Sequence, residues 1–309
     1  MPTKKPSIVV ILGPTASGKS AAAIRLAKKF DGEIISADSR QIYRGMDMGT
    51  GKVEGTWNEK NKALISEDIA HHAIDIVDPN EDFNVADFKK YANKKIEEIL
   101  HRGKVPIICG GTGFWISAVV DDLDFPEVAP DWKLREELGK KSAEDLFAEL
   151  EKMDPERTVS IDPNNKFRLI RAIEICKVLG SVPKPKTREQ KSIPYEFLQI
   201  GIKTEKEDLH SKIKKRLDER FDLGMIEEVE GLYKNNVSWE RLEGFGLEYR
   251  RIAEFLQGKI SEGEMKEKLY FDIVHYAKRQ MTWFQKDKRI VWMETYGEIE
   301  KETEGFIGK

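Results

Sequence analysis

Short apolar runs and helical stripes alternate through the first 120 residues. Ser7–Leu12, Glu33–Ala37, Ala73–Val77 and Val105–Cys109 are brief, rich in Ile and Val, and bounded by Gly, Asp or Pro. Such runs predict strands covered on both faces, as in a parallel sheet. Between them the apolar positions switch to helical spacing. Lys19–Phe30 follows the first run, and Asn84–Arg102 carries Val85, Phe88, Ile96, Ile99 and Leu100 at that spacing, with Gly103 as a stop. The alternation predicts an α/β fold built on a doubly wound parallel sheet.

Beyond Asp121 the pattern changes. "DDLDFPEVAPDW" is turn-rich, and helices are predicted at Trp132–Lys141 and Ser142–Met153, the second with capping-box spacing between Ser142 and Asp145. A further helix is predicted over Pro163–Leu179, with proline in its first turn and Gly180 at its end. "SVPKPKTREQKSIP" reads as a mobile basic connector before the strand pattern resumes at Phe197–Ile202. Residues 121–193 therefore read as a helical insertion domain in a catalytic core formed by 1–120 and 194–309. The tail is helical through Gln285, and Arg289–Met293 is expected to add a last strand.

Composition narrows the class. Of 309 residues, 39% are hydrophobic and 35% charged, and no apolar run approaches the length of a membrane span. The start, MPTKKPSIVVILG, leads straight into a glycine loop and reads as a first strand rather than a leader. Cys109 and Cys176 are far apart, so reduced thiols and a cytoplasmic location are expected, with no membrane partner. The five histidines give no zinc spacing, and the His71-His72 pair reads as surface or cap residues without a catalytic role. A net charge of −3 argues against a uniformly basic nucleic-acid binder. Local basic patches remain: Lys184, Lys186, Arg188 and Lys191 in the connector; Lys212, Lys214, Lys215 and Arg216 in a later helix; and Asn165, Arg168 and Arg171 on one helical face. Together with interleaved aromatics they suggest a polyanionic partner.

The strongest chemical signal is Gly13-Pro14-Thr15-Ala16-Ser17-Gly18-Lys19-Ser20, which fits G-x-x-x-x-G-K-[ST] between a strand and a helix. Glycines there turn backbone N–H groups onto phosphate oxygens, and the helix N-terminus adds partial positive charge. Lys19 reaches a terminal phosphate and the Ser20 hydroxyl suits a magnesium ion, Mg2+. The loop alone does not distinguish ATP from another polyphosphate. Asp38, just past the second strand, falls at the ligand crevice as a base or a holder of magnesium-bound water, with Arg40, Gln41 and Arg44 following. "CGGTGFW" ends the fourth strand; its glycines allow close backbone approach and Thr112 offers a hydroxyl to a diphosphate. "HYAKRQMTWF" mixes core candidates (Tyr276, Met281, Phe284) with Lys278, Arg279, Gln280 and Trp283, and spacing does not separate the roles.

Taken together, GPTASGKS, DSRQIYRGMDMGTGK, HHAIDIVDP, GGTGFW, DPNNKFRLIRAIEI, RLDERFDLGMIEEV and AKRQMTWF resemble the tRNA dimethylallyltransferase (tRNA isopentenyltransferase) family, in family order from Ile8 to Met293. The resemblance implies transfer of a dimethylallyl group from dimethylallyl diphosphate to the exocyclic amine of the adenosine 3′ of the anticodon in tRNA. Asp38 is then the base, while Thr112 and Arg216 join the phosphate loop, Lys19 and magnesium in holding the leaving diphosphate. Asp38, Ser39, Arg40, Gln41 and Thr112 are expected around the flipped nucleotide; Asn165, Arg168, Arg171, Gly246 and Arg279 are expected to hold the anticodon stem-loop. A monomer is expected. Phe114-Trp115 stands where Leu-Tyr is usual, which bears on the prenyl pocket, and "GFGLEYR" replaces the commoner "AIGYKE". The rivals are a P-loop small-molecule kinase and an adenine-nucleotide prenyltransferase.

Overall fold

The computed structural model describes residues 5–184, 186 and 191–308. The chain divides into two compact units, Met1–Asp121 with Ile193–Lys309, and Asp122–Ser192. The larger unit is built on eight strands: β1 (Ser7–Leu12), β2 (Gly32–Ser36), β3 (Thr56–Asn58), β4 (Ala63–Ser66), β5 (Ile69–His72), β6 (Val105–Gly110), β7 (Glu196–Ile202) and β8 (Val291–Met293). They form one sheet in the order β3-β4-β5-β2-β6-β1-β7-β8. Pairing is parallel from β5 through β8 and antiparallel in the β3-β4-β5 edge.

Period-two alternation decides which helix each strand residue meets. Val9 and Ile11, with Ile34, Ile107 and Cys109, pack on Ala23, Leu26 and Ala27 of α1 (Lys19–Lys29). Ile8, Val10 and Leu12, with Ile35 and Ile108, face the opposite layer. That layer contains α2 (Val85–His101), α3 (Gly113–Val120), and, after the insertion's α4 (Trp132–Gly139), α5 (Ala143–Met153), α6 (Pro155–Thr158) and α7 (Lys166–Leu179), the run α8 (Lys206–Asp222), α9 (Met225–Lys234), α10 (Trp239–Phe245), α11 (Leu247–Leu256) and α12 (Glu262–Phe284). The last helix, α13 (Tyr296–Ile307), returns to the α1 side through Ile299. Helices on both faces make the sheet doubly wound.

The insertion has a core of its own, from Leu138, Leu146, Leu150, Leu169, Ile173 and Cys176. The capping box of α5 forms as its spacing predicts, Ser142 accepting the Asp145 N–H. The helix expected from Pro163 begins instead at Lys166, because the Asn165 side chain accepts the Arg168 N–H and sets the cap there. Lys191 is not a mobile surface cation: its side chain is buried, bonded to the Asp122 carbonyl and paired with Asp124. Lys184 pairs with Glu156, and Arg188 lies outside the described residues.

Ala73–Val77 is not a strand. The pairing strand is Ile69–His72, and positive φ at Ala73 and Asp75 bends the chain away, leaving one bridge from Val77 to Tyr43. The His71-His72 pair is correspondingly buried, at 3% and 1% exposure, not a surface or cap pair. His72 Nε2 lies 2.7 Å from Glu33 Oε2, and Arg102 Nη2 donates to that same oxygen at 2.7 Å. Burial alone would raise the Glu33 carboxyl, but these partners outweigh it and hold it down at about 2. A depressed carboxyl stabilises the fold above its unfolded value, and that contribution is lost as pH falls through the folded value. Thermal unfolding measured from pH 6 to pH 2 should therefore show Glu33→Gln losing part of the wild-type acid dependence below about pH 4.5, on the order of 2 kcal/mol. An unchanged acid limb would remove this network as its source.

Candidate active site

The carboxyl ends of β1, β2 and β6 open onto one cavity, as ligand sites in such sheets do. β1 leaves Leu12 into the phosphate loop, where Ala16 (φ 62°) and Gly18 (φ 87°) turn the backbone through the left-handed region before α1. Thr15, Lys19 and Ser20 line the cavity. Ser17 Oγ is buried against Gly13, and the Ser17 N–H donates to the Pro14 carbonyl at 3.3 Å. Lys19 Nζ donates to the Pro14 carbonyl at 3.2 Å. Burial, with the nearby Arg216 guanidinium, lowers the Lys19 pKa against the opposing pull of Cys109 and Asp38.

Arg216, from α8, crosses to the loop and donates through Nη2 to Thr15 Oγ1 at 2.6 Å. Burial and the neighbouring Arg220 bring its pKa to about 10, still charged at neutral pH. Lys19 and Arg216 are thus held close together with their charge penalised, and an anion between them would relieve that penalty. Ser20 bonds to the Cys109 thiol, whose pKa burial raises to about 11, so Cys109 is no nucleophile at neutral pH.

Asp38 lines the same cavity, with Oδ1 accepting the Arg40 N–H at 2.9 Å in a local turn that orients the carboxylate. Thr112 Oγ1 accepts the Ser39 N–H at 3.1 Å and is bonded to the Tyr276 hydroxyl. Burial pushes the Tyr276 phenol well up, which keeps it protonated. The lining also includes Arg40, Phe245, Gly246, Leu247, Tyr249 and Ile273, and the Arg40 guanidinium lies 5.6 Å over the Phe245 ring. His71 and Ile34, side by side in register, line the α1 side with Ala23. Burial, with His72 beside it, lowers His71 to about 4, so the imidazole is neutral.

Several predicted site residues are also engaged in bonds within the protein. Gln41 lines the cavity, but its amide is engaged with Ser36 Oγ and with the Thr50 and Gly51 carbonyls. The preceding Asp47–Gly49 backbone is clamped by Glu228, whose carboxylate accepts three successive N–H groups and the Tyr249 hydroxyl. Arg44 is exposed and bonds the Ile76 carbonyl. In the insertion, Asn165 is the α7 cap, and Arg171 is paired with Glu174 and the Val128 carbonyl, whereas the Arg168 side chain is exposed. Arg279 is exposed on α12 beside Tyr276. Of the Phe114-Trp115 departure, neither ring reaches the cavity: Trp115 stacks on Phe88 in the core at 4.3 Å, and Phe114 faces solvent.

Gln280, Tyr276, Glu228 and Arg220 complete the site; they lie in the stretches HYAKRQMTWF and RLDERFDLGMIEEV, whose spacing does not separate site residues from core. Gln280 is buried, accepts the Thr15 N–H at 2.9 Å and donates to the Gly111 carbonyl at 2.8 Å, tying the phosphate loop to the turn after β6. A side chain at Gly111 would meet Gln280 at 2.3 Å and one at Gly113 would meet Trp283 at 2.3 Å. Those glycines therefore admit α12 against the turn. Gln280→Leu leaves both loop groups unpaired and should weaken binding of inorganic diphosphate about tenfold by calorimetry. Equal affinity would show that the clamp does not shape the loop.

Among the described residues, no cluster of three or more His, Cys, Asp or Glu could hold a metal, and no helix is long and apolar enough to cross a membrane. The sequence matches the IPP transferase family over residues 41–287. It is 43% identical over 292 residues to tRNA dimethylallyltransferase 1 of Syntrophus aciditrophicus, covering 93% of each chain. Its fold is similar to the tRNA isopentenylpyrophosphate transferase of Bacillus halodurans, with a TM-score of 0.70, 34% identity, and 99% and 96% of the two chains covered. It is also similar to a eukaryotic dimethylallyltransferase acting on tRNA, with a TM-score of 0.74, 25% identity, and 94% and 74% covered.

Proposed function

The chain belongs to the IPP transferase family, and from that premise we propose that it transfers the dimethylallyl group of dimethylallyl diphosphate to the exocyclic amine of the adenosine 3′ of the anticodon in tRNA. The observation that carries this reading is a single cavity with two unlike parts. Lys19 and Arg216 gather at the phosphate loop, and Asp38 lines the same cavity with the rings of Phe245, Tyr249 and Tyr276. A diphosphate suits the first and a planar base the second.

In this reading the adenine amine attacks the allylic carbon. A C–N bond forms as the C–O bond to diphosphate breaks, the electron pair leaves with diphosphate, and the amine proton passes to Asp38. An adenine amine is a weak nucleophile because its lone pair is delocalised into the ring, so removing its proton as attack proceeds is worth ~10²–10⁴ in rate. Lys19, Arg216 and the loop amides hold the charge growing on the leaving group. The Thr112 hydroxyl, which accepts the Ser39 N–H and bonds Tyr276, is assigned to the leaving diphosphate as well.

The donor set fits magnesium carried in on diphosphate rather than a protein-caged ion: the Ser20 hydroxyl lines the cavity beside the loop. Bound there, the ion would neutralise diphosphate charge with Ser20 as its protein contact. An adenosine in an anticodon loop is already unpaired, which lowers the cost of bringing it out of its stack. Arg168 in the insertion, the turn at Gly246 and Arg279 are assigned to the RNA backbone.

The test is transfer of labelled dimethylallyl diphosphate in the presence of magnesium. Unmodified tRNA, AMP, or ATP without RNA serve as the alternative acceptors. Label on tRNA alone supports the reading. Label on AMP favours a nucleotide prenyltransferase, and ATP consumption without label favours a kinase; either overturns it.

A further inference from the structure

One buried carboxylate in the cavity has no task in the transfer. Among the described residues the cavity is lined by two acids, Asp38 and Glu248, and the reading above uses only Asp38. Glu248 stands in the first turn of α11 and is 8% exposed. Its partners come from α8, where Arg216 and Arg220 stand at i and i+4 on one face. Arg220 is 6% exposed, and its Nη1 reaches Glu248 Oε1 at 3.4 Å and the Gly49 carbonyl at 3.3 Å. Both contacts are longer than the ~2.8 Å of a well-made charged bond. Arg220 Nη2 is buried with no partner among the described residues. A side chain at Gly51 would collide with that nitrogen, so this glycine makes room for it beside backbone that lines the cavity.

The outcome is a pair of cations held by an anion that fits them poorly. A matched carboxylate takes both forks of a guanidinium in short bonds, and this one leaves a nitrogen unused. In the site without ligand, Glu248 supplies negative charge that the arginines need where little water reaches them. It is the acid that most offsets the penalty on the Arg216 charge, ahead of Asp38. Once a diphosphate sits at Arg216 and Lys19, the same negative charge opposes it, in a medium where charges act far more strongly than in water. The groups that face Glu248 are Arg216 and Arg220 of α8, Asp38 after β2, Tyr276 of α12 and the adjoining Tyr249. Burial raises its carboxyl above the ordinary range against the pull of Arg220, its own backbone N–H and Arg216, and Asp38 adds to the rise.

We propose that Glu248 is the resident counter-ion of the Arg216–Arg220 pair, and that its charge competes with diphosphate so that the spent leaving group is expelled rather than retained. The proposal rests on the prenylation reading above, in which diphosphate is a product. Glu248 is a positioning residue in this scheme and acts through the arginines. They hold the diphosphate while the allylic C–O bond breaks, and return to Glu248 as it departs.

The test is a gain of affinity, which a damaged fold does not produce. By calorimetry at about pH 8, Glu248→Gln should bind inorganic diphosphate ~10-fold tighter than the wild type, and Glu248→Asp, which keeps the charge, should bind like the wild type. In multiple-turnover transfer, the first turnover of Glu248→Gln should outrun those that follow, because diphosphate leaves slowly. Sulfate, whose own charge is constant near neutral pH, tests the wild type by itself. As pH falls from about 8 to about 5.5 Glu248 gains a proton, so sulfate affinity should rise in the wild type and stay level in Glu248→Gln. Equal or weaker diphosphate binding in Glu248→Gln, or a wild-type sulfate affinity that does not rise, would overturn the counter-ion while label still passes to tRNA. If the wild type transfers no label to tRNA at all, the prenylation reading itself falls and this role of Glu248 with it.

Discussion

Asp38→Asn should lower the single-turnover rate of prenyl transfer at least ~100-fold while leaving affinity for dimethylallyl diphosphate nearly unchanged. Asparagine retains an oxygen to accept the Arg40 N–H, which Asp38 Oδ1 does at 2.9 Å, so the local turn survives and only basicity is lost. Asp38→Ala removes both the base and the turn, and its rate should be no higher than that of the asparagine variant. Rapid-quench measurement with saturating RNA separates the chemical step from binding. A wild-type rate in Asp38→Asn would dismiss Asp38 as proton acceptor and assign that task to water.

Arg216→Gln should cost ~10²–10³ in the same rate, the range found when one fixed donor to a developing anion is removed. Two features make Arg216 a stronger candidate than a surface cation. It is anchored on Thr15 of the phosphate loop, so its position is set before any ligand arrives. It is also held where burial and Arg220 disfavour its charge, so it interacts strongly with an anion that restores the balance. Glutamine can still bond the Thr15 hydroxyl but brings no charge. The variant should bind diphosphate more weakly as well as react more slowly. A rate within a few-fold of wild type would show that Lys19 and the loop amides carry the leaving group.

Much of this was legible in the chain. Strands β1, β2, β6 and β7 lie within a residue or so of their apolar runs, because an inner parallel strand must be apolar on both faces and cannot be polar without cost. The phosphate loop was legible for a different reason: its function resides in backbone geometry that only glycine and a strand-to-helix switch provide. The Ala73–Val77 run misled because burial is not pairing. Ile74 lines the cavity and Ala73 packs in the core, while positive φ at Ala73 and Asp75 breaks the strand. The β3-β4 edge was silent because its strands are three and four residues long.

The sequence by itself determined the sheet class, the phosphate loop, the position of Asp38 just past β2, and the family. Each of these depends on residues close together in the chain. Only the tertiary structure decided that Gln280 closes the loop opened by Thr15, 265 residues earlier, and that Glu228 grips backbone near Met48. It also gave Asn165 a capping bond and Arg171 an ion pair within the insertion, and moved His71 and His72 from the surface to the interior. The reason is physical: a side chain's role is set by which groups compete for its hydrogen bonds and how much water it keeps. Those competitors are brought to it by distant segments that local spacing cannot specify.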